Sequence, residues 1–559
     1  LQPIALADCR RPMVMIQRKH RRKEEPTPAP PAASQSTPVE AAQPGDASSS
    51  FAVAKHLICT LLGLVYLFAF LAAYRQNRAL LGSGGLAPFR DHVERGQAAF
   101  AGDARRGFLH RPSVWWFLDR SDDNLDRVAL AGLAAAAVAA AGGHFAGVFA
   151  ACWLLYFSVV EAGEGSSFYS YGWESQLLET GFLAVFLCSW NDRRAAPSLP
   201  VLWLFRWLCF RISIGAGLIK IRGGSCWAKK ECLWYHFETQ PVPSPLSFAF
   251  HFLPRRALSR GVDVDLFVQL YTSCLVLAPG WGALRHARRA AGAVQAGFMV
   301  AIAASGNFSI LNHLTVVPAL ACLDDGVFRR TAAPARRQRS ALRWLADLAV
   351  VGVGGWLSRP VVANLLQTSG RGQVMNASFD PWRLVNTYGA FGSVGEKRYE
   401  PIVSLSPDGG ATWTELEFPC KPGDVARRPC FSAPYHHRLD WNIWFIGFKP
   451  HQQMLRGRER WLYAFLAKLL DGDALARSLL APASRDDAAR LGGGADARAK
   501  GDMYHYEMRA PLWDLAGEAL RELGAAPVVW WNRTFTEVLI PPVKLTGGHL
   551  TFAVRPGIS

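Results

Sequence analysis

Residues 51–74 read FAVAKHLICTLLGLVYLFAFLAAY and contain a single Lys, Arg, Asp or Glu, Lys55. This stretch decides the fold class, because about 20 predominantly apolar residues are enough for one α-helix to cross the hydrocarbon core of a bilayer. The sequence therefore predicts a membrane protein whose first span begins near residue 51.

Further apolar runs follow this first span as far as residue 357. Residues 128–160 contain no Lys, Arg, Asp or Glu and are too many for one upright helix. Gly142, Gly143 and His144 at the centre of this run can turn the chain, so we expect two short spans there. The prediction is an α-helical polytopic bundle of about nine spans, give or take two. The other candidate spans are residues 175–190, 199–221, 264–284, 290–305, 309–323 and 342–357.

Short basic linkers predict the orientation of this bundle. Cytosolic loops of membrane proteins carry an excess of Lys and Arg, and residues 191–194, 285–289 and 329–339 are basic segments of this kind. With a cytosolic N-terminus and nine crossings, all of these linkers fall on the cytosolic side. The loop between Cys226 and Cys232 and everything after residue 358 then fall on the opposite, luminal side.

The composition divides the chain into three parts. The 559 residues are 50% hydrophobic and 19% charged, with a formal net charge of +17, a balance that excludes a disordered or coiled-coil protein. Residues 1–50 predict a disordered cytosolic tail, residues 51–358 a polytopic transmembrane domain, and residues 359–559 a luminal domain. Because much of the positive charge lies in the tail and the short linkers, it indicates membrane orientation and not a nucleic-acid partner.

The luminal domain is predicted to be β-rich. Residues 406–410, SPDGG, are typical of a hairpin turn and join two short strand-like runs. A sandwich with one or two packed helices is an architecture that fits such a pattern. The strand-like runs are residues 385–391, 401–406, 412–418, 528–531, 536–540 and 549–554.

Three other segments of this domain have distinct patterns. Apolar residues at helical spacing in residues 455–470 predict an amphipathic helix. Residues 481–501 are mostly Ala, Gly and charged residues, so we expect a flexible insertion there. Residues 406–413, SPDGGATW, match the Asp-box pattern S-x-D-x-G-x-T-W. In the families that carry it the box is a structural hairpin, so Asp408 is expected to accept turn amides, with no catalytic role.

The cysteines fall into groups. Cys226 with Cys232, and Cys420 with Cys430, lie on the predicted luminal side, where an oxidising environment makes each pair a candidate disulfide. Neither pair is a C-x-x-C motif, so a thioredoxin-like redox site is not supported. Most other cysteines lie in or beside predicted spans, where a free thiol behaves as a small hydrophobic side chain. No cysteine and histidine spacing suits zinc, and we predict no metal site.

Asn-x-Ser/Thr triplets agree with this orientation. Asn376 and Asn532 begin such triplets in the luminal domain and are candidate N-glycosylation sites. Asn307 begins another triplet in a predicted luminal turn, and we expect it to lie too close to the membrane to be modified.

Charged side chains inside the predicted spans need partners, since a charge at membrane depth costs about 2.5–3.5 kcal/mol on insertion scales. We predict that Glu179 pairs with Arg211 or with Arg206. A structural ion pair that locks two helices is the favoured interpretation, and a proton or substrate site is the alternative. Glu174 lies at the rim of a span and is expected to reach the interface by snorkelling.

The chain carries no recognised catalytic motif. It contains no G-x-S-x-G elbow, Walker A sequence, protein-kinase signature or H-E-x-x-H pair, so we predict no catalytic residue and no cofactor. Two alternatives stay open. Residues 215–220, GAGLIK, resemble span segments of vitamin K-dependent carboxylase-like membrane proteins, in which Lys220 would act as a base. A lipid or solute transporter would instead require a polar path through the bundle.

Three longer stretches resemble the lipase maturation factor family. Residues 153–187 form the first, WLLYFSVVEAGEGSSFYSYGWESQLLETGFLAVFL. The second, residues 206–254, contains the distinctive LIKIRGGSCWAKKECLWYHFETQPVPSPLSFAFHFLP. The third, residues 385–447, begins VNTYGAFGSVGEKRYEPIVSLSP and ends FPCKPGDVARRPCFSAPYHHRLDWNIWFIG. The similarity covers most of residues 55–470.

This resemblance implies a multi-pass endoplasmic reticulum membrane protein with a luminal C-terminal domain. It also implies a chaperone-like role in the folding, assembly and secretion of client proteins, notably lipases. The bilayer is the other implied partner, and the family supplies no catalytic residue to transfer. The blocks within the resemblance that we select as candidate functional residues are His236, Glu238 and Gln240, and Arg438, Asp440 and Trp441.

Overall fold

The computed structural model describes residues 50–328, 340–367, 372–448, 459–509 and 529–552. The predicted N-terminal tail, apart from its last residue, and the basic linker at 329–339 lie outside the described residues. The helices are α1 Ala52–Leu81, α2 Arg90–Ala98, α3 Ala104–His110, α4 Asp122–Ala140, α5 Ala146–Gly163, α6 Gly172–Leu187, α7 Leu199–Arg222, α8 Ser225–Ala228, α9 Cys232–Thr239, α10 Pro245–His251, α11 Arg255–Phe267, α12 Ser273–Leu275, α13 Gly282–Ser305, α14 Leu311–Ala319, α15 Ala341–Leu366, α16 Arg438–Ile446, α17 Arg460–Leu470, α18 Ala474–Ser478 and α19 Pro482–Leu491. The strands are β1 Arg398–Ser406, β2 Thr414–Leu416, β3 Arg498–Met508, β4 Trp531–Thr546 and β5 His549–Phe552.

Four helices of the described chain, α1, α5, α7 and α15, are long and apolar enough to cross a membrane. With the C-terminal sheet, they confirm the expected fold class of a helical membrane part followed by a β-rich region. Helices also occupy much of the other predicted spans, but these helices are shorter, more polar or interrupted. Residues 264–284, for example, contain a π-helical turn at Val268–Thr272. The count of nine crossings therefore stays a prediction.

The long apolar run at residues 128–160 forms two helices. α4 ends at Ala140 and α5 begins at Ala146, so the chain breaks where the sequence predicted a turn. Gly142 has a φ of +96°, a backbone conformation that glycine adopts without the steric cost of a Cβ. Of the two helices, α5 is long and apolar enough to cross a membrane.

α1 and α4 approach each other closely. A Cβ on Gly63 of α1 would lie 2.5 Å from the backbone nitrogen of Ala140, and a Cβ on Gly132 of α4 would lie 2.1 Å from the Phe70 ring. Small residues at helix contacts allow this approach in membrane bundles. The first turn of α1 is capped from a distant loop, where the carboxylate of Asp325 accepts from two backbone amides at 2.9 Å each.

The C-terminal region contains a five-stranded antiparallel sheet with the order β2-β1-β3-β4-β5. β1 and β2 form the hairpin predicted around residues 406–410. The prediction of a flexible insertion at residues 481–501 is wrong, because this segment contains α19 and the start of β3. Gly501 of β3 lies between Val403 of β1 and Ile540 of β4. Small residues suit this position because side chains on the flanking strands supply the apolar contacts.

Helices cover this sheet, and the described strands do not form a second one. α17 contacts β3, β4 and β5, and Phe465 and Leu469 of α17 are fully buried in the core that contains Leu405 and Ile540. This is the amphipathic helix predicted at 455–470, although residues 455–458 lie outside the described part of the chain. The β-rich region is therefore a sheet with packed helices.

The strand predicted at residues 385–391 is not part of this sheet. Val385 and Tyr388 are buried in the same core as the membrane helices. The strand-like pairing described for this segment is an isolated bridge between Asn386 and Ser378. The apolar residues that suggested a strand bury this segment against the bundle. The backbone amide of Asn386 donates to Glu179 on α6, and its carbonyl accepts from Arg211 on α7.

Candidate functional site

A buried ion pair joins the membrane helices to the segment that precedes the sheet. Glu179 on α6 pairs with Arg211 on α7, and both side chains are 2% exposed. Arg211 Nη1 also donates to the carbonyl of Asn386 at 2.7 Å. Glu179 Oε2 accepts from the Asn386 amide at 3.1 Å and from the Tyr388 hydroxyl at 2.7 Å. The structure places the predicted pair together and adds two partners, Asn386 and Tyr388, that were not predicted from the sequence. Arg206 donates instead to a backbone carbonyl at 2.8 Å.

A second buried ion pair connects α6 to the C-terminal region. Arg438 Nη1 lies 2.8 Å from Oε1 of Glu174, and the guanidinium lies 3.6 Å from the centre of the Tyr169 ring. The Tyr156 hydroxyl donates to the other oxygen of Glu174. The expectation that Glu174 snorkels is wrong, because the residue is fully buried. Its charge is balanced by an arginine far along the chain, which helix spacing alone cannot reveal.

The block at residues 236–240 is tied to the strands and to α13. Arg398, buried at the start of β1, donates to the carbonyl of Glu238 at 2.8 Å and to that of Gln240. Glu238 Oε2 accepts from the Met508 amide at 2.7 Å. Gln240 Nε2 donates to the carbonyl of Ser305 at 3.0 Å. These bonds hold the end of α13 against the sheet.

Asp440 and Trp441 on α16 contact different parts of the protein. Asp440 Oδ2 accepts from the amides of Cys420 at 2.7 Å and Lys421 at 2.9 Å. The Trp441 ring packs edge-on against Trp173 of α6, with centroids 5.0 Å apart. α16 therefore orders the Cys420 loop on one side and contacts the membrane bundle on the other.

Both candidate cysteine pairs are joined as disulfides in the structure. Their Cα atoms are 4.8 Å apart for Cys226 and Cys232, and 5.6 Å apart for Cys420 and Cys430. Asn307 supports the second loop, because its Nδ2 donates to the carbonyl of Cys430 at 2.8 Å. Asn307 is 3% exposed, so its side chain is already committed to this contact.

The two candidate glycosylation sites have different surroundings. Asn376 is exposed, but its Nδ2 donates to the carbonyl of Gly389 at 2.9 Å. Asn532 is exposed on β4, where it lies opposite Glu507 of β3. Both asparagines belong to the C-terminal region, and the Asn532 side chain is the more available of the two.

The Asp-box closes the β1–β2 hairpin. Asp408 accepts the backbone amide of Thr412 at 2.9 Å and its hydroxyl at 2.6 Å, and it also accepts the Ser406 hydroxyl at 2.7 Å. The hydroxyl bond from Thr412, followed by the amide bond, lowers the pKa of the Asp408 carboxyl below its usual range. Each of these bonds lies within the turn, which is the structural role the motif indicates.

A cavity of about 540 Å³ lies between the membrane helices and the C-terminal region. His236 and Trp441, one from each selected block, both line it. The His236 ring packs edge-on against Phe391, with centroids 4.9 Å apart. Burial, with a smaller contribution from the charge of Lys220, lowers the pKa of His236 to about 3, so the imidazole is neutral near pH 7. The structure therefore brings one residue of each block, His236 and Trp441, to one mostly apolar site.

Lys220 lines the same cavity and is ion-paired. Its Nζ lies 2.7 Å and 2.6 Å from the two carboxylate oxygens of Asp265. Asp265 was not among the predicted site residues, although an aspartate inside the apolar run 264–284 is a signal for a buried pair. An ammonium group held by a carboxylate is not a free base, so the geometry does not favour Lys220 as the base of a membrane enzyme.

The described parts of the chain contain no group of three or more His, Cys, Asp or Glu residues placed to hold a metal ion. The site is instead built from paired charges, aromatic rings and backbone hydrogen bonds. Together with the fold, it defines a class, an α-helical membrane protein whose β-rich C-terminal region is held on the bundle by buried ion pairs.

The chain belongs to the lipase maturation factor family. The lipase maturation factor transmembrane domain matches residues 53–330, and the lipase maturation factor C-terminal domain matches residues 384–541. The first domain model covers the helices from α1 to α14, and the second covers most of the sheet region.

Relatives match along most of the chain. Lipase maturation factor 1 of Bos taurus is 38% identical over 89% of this chain and 90% of its own length. Lipase maturation factor 1 of Homo sapiens is 36% identical over 89% of each chain. Lipase maturation factor 2 of Mus musculus is 25% identical over 89% of this chain and 84% of its own length. No solved structure matches the chain.

Proposed function

We propose that this protein is a maturation factor of the endoplasmic reticulum membrane that assists the folding, assembly and secretion of lipases. The observation that carries the proposal is the similarity to Lipase maturation factor 1, which extends over 89% of the chain. Because the similarity includes both the membrane helices and the C-terminal region, the proposal applies to the whole protein.

In the proposed topology the N-terminus is cytosolic and the C-terminal domain is luminal. Residues 1–50 form the tail, residues 51–358 the transmembrane domain and residues 359–559 the domain that meets clients. Two observations support a luminal location. The Cys420–Cys430 disulfide needs an oxidising compartment, and the acceptor triplets at Asn376 and Asn532 lie in the same region with their asparagines exposed.

In the proposed mechanism, the protein presents a binding surface to its client and does not catalyse a reaction. The Glu179–Arg211 and Glu174–Arg438 pairs are almost fully buried, and breaking such a pair costs about 3–5 kcal/mol. The C-terminal domain would therefore be held at a fixed orientation to the membrane, so that a client lipase meets the same surface in each binding event. The family is named for maturation and not for a reaction.

The test is restoration of lipase secretion. We would express the full chain with a reporter lipase in cells that lack their own lipase maturation factors, and measure secreted lipase activity per unit of lipase protein. The full chain should restore activity. Arg438→Ala should lower it because Glu174 loses its partner, whereas Arg105→Ala, a change at an exposed position on α3, should not.

Immunoblots of the membrane fraction control for the amount of each variant. A full chain that accumulates normally and leaves the specific activity of the secreted lipase unchanged would contradict the proposal.

A further inference from the structure

The cavity between the bundle and the C-terminal region has the size of a ligand site. Its volume of about 540 Å³ falls within the range of about 300–1,000 Å³ that is typical of small-molecule cavities. Aromatic side chains from both parts of the protein form much of its wall, among them Trp173, Phe308, Phe391 and Trp441. A ligand in this space would be largely apolar.

The charges around the cavity are balanced. Lys220 and Asp265 both line it, and they form an ion pair in which Nζ bonds both carboxylate oxygens. The Lys220 ammonium also lies 4.4 Å from the centre of the Trp227 ring. A charged ligand would have to compete with these contacts, since a buried charge is costly without a dedicated partner. The site therefore favours a neutral molecule.

Some residues of the cavity wall carry polar atoms without hydrogen-bond partners. In the described part of the chain, Trp173 Nε1 and Asn312 Nδ2 are buried and have no hydrogen-bond partner. Both residues line the cavity, but each nitrogen has less than 1 Å² of accessible surface, so a ligand could reach it only after the side chain rotates. An unpaired buried donor costs about 1–3 kcal/mol, so an oxygen acceptor on the ligand would relieve that cost.

The cavity wall includes helices of the membrane region. Ile212 and Ala216 lie on the candidate span α7, and Phe298 and Ile302 lie on the apolar half of α13. A molecule that dissolves in the bilayer is concentrated beside these helices, whereas a soluble polar metabolite would have to leave water to occupy an apolar cavity.

We propose that this cavity binds a neutral ester lipid taken from the bilayer. The acyl chain would lie against the aromatic wall, and an ester carbonyl oxygen would accept from Trp173 and Asn312 once their side chains have rotated toward the cavity. A free fatty acid fits less well because Lys220 already pairs with Asp265. Lipid binding in this cavity does not depend on which protein is the client. The experiment therefore tests it independently of the maturation role.

The experiment is photo-crosslinking of the full chain in nanodiscs with a diazirine-labelled monoacylglycerol, followed by mass spectrometry of the labelled peptides. We expect labelling of cavity-lining peptides from α7 and α13. Ala216→Trp and Ala301→Trp, at two cavity-lining positions, should reduce this labelling at least fivefold. Ala293→Trp, on the exposed face of α13 and away from the cavity, is the matched control and should not.

Competition identifies the ligand class. Unlabelled monoacylglycerol should displace the probe, and Asn312→Leu should weaken binding by about fivefold because one donor is lost. Gel filtration and thermal stability show that each variant is folded. Labelling that is uniform over lipid-facing helices, that both tryptophan variants leave unchanged, or that a fatty acid or a sterol displaces equally well would overturn the proposal.

Discussion

The Glu179–Arg211 pair gives the sharpest quantitative prediction. Arg211→Met leaves the Glu179 carboxylate buried with the backbone and side-chain amides of Asn386 and the Tyr388 hydroxyl as its partners. Because both charged side chains are 2% exposed, solvent cannot replace the lost partner. We expect the free energy of unfolding to fall by about 3–5 kcal/mol, the usual cost of breaking a buried pair.

The double variant Glu179→Gln, Arg211→Met separates charge pairing from packing. Removing both charges leaves the carbonyl of Asn386 without the Arg211 donor, a loss of about 1–3 kcal/mol. The double variant should therefore be less destabilised than Arg211→Met alone. We expect a coupling energy in the range of about 0.5–3 kcal/mol, measured by sodium dodecyl sulfate titration of the full chain in mixed micelles.

Arg206→Met provides the matched control for this cycle. Arg206 is also buried on α7, but it donates to a backbone carbonyl and not to Glu179. In the double-mutant cycle of Arg206→Met with Glu179→Gln, the changes in the free energy of unfolding should be additive. If the Glu179 and Arg211 substitutions are also additive, the two residues do not act as a pair and the proposed lock between the helices is refuted.

Three further predictions concern other regions. Asn532→Gln should remove one glycosidase-sensitive gel shift because Asn532 is exposed, whereas Asn307→Gln should not change the pattern because the Asn307 side chain is buried; a glycan on Asn307 would contradict this burial. Gly132→Leu should lower the thermal midpoint and the yield of folded protein in detergent, since even a Cβ would lie 2.1 Å from the Phe70 ring; a variant of unchanged stability would show that α1 and α4 are not packed this closely. Cys420→Ala opens a disulfide with a sequence separation of 10 residues and should cost about 2–4 kcal/mol, measured by denaturant unfolding; unchanged stability would show that the bond does not constrain this loop.

Local patterns in the sequence predicted several elements of the fold. The long apolar run at residues 51–74 indicated α1, the glycines at 142 and 143 indicated the break between α4 and α5, and SPDGG indicated the β1–β2 hairpin. Each of these depends on neighbours in the chain, through helix length, turn conformation or strand alternation. The composition of residues 481–501 did not predict the start of β3. Small residues in this central strand receive their apolar contacts from side chains of β1 and β4.

The candidate site was only partly predictable, because local patterns reveal a buried charge but not its distant partner. Glu179 and Arg211 carry charges inside apolar runs, which by itself demands partners. The pairing of Glu174 with Arg438 joins residues 264 positions apart, and no local pattern specifies which of many distant arginines will meet a given carboxylate. His236 and Trp441 were selected by resemblance, and the cavity that both line became visible only in the folded chain.

The sequence by itself determined that this is a membrane protein with a β-rich C-terminal region, because the free energy of placing apolar runs in a bilayer depends on composition and length. Only the tertiary structure decided which buried charges pair, that β3 completes the sheet, and that aromatic side chains of both regions enclose one cavity. These outcomes depend on the desolvation and packing of groups that meet only when distant segments come together.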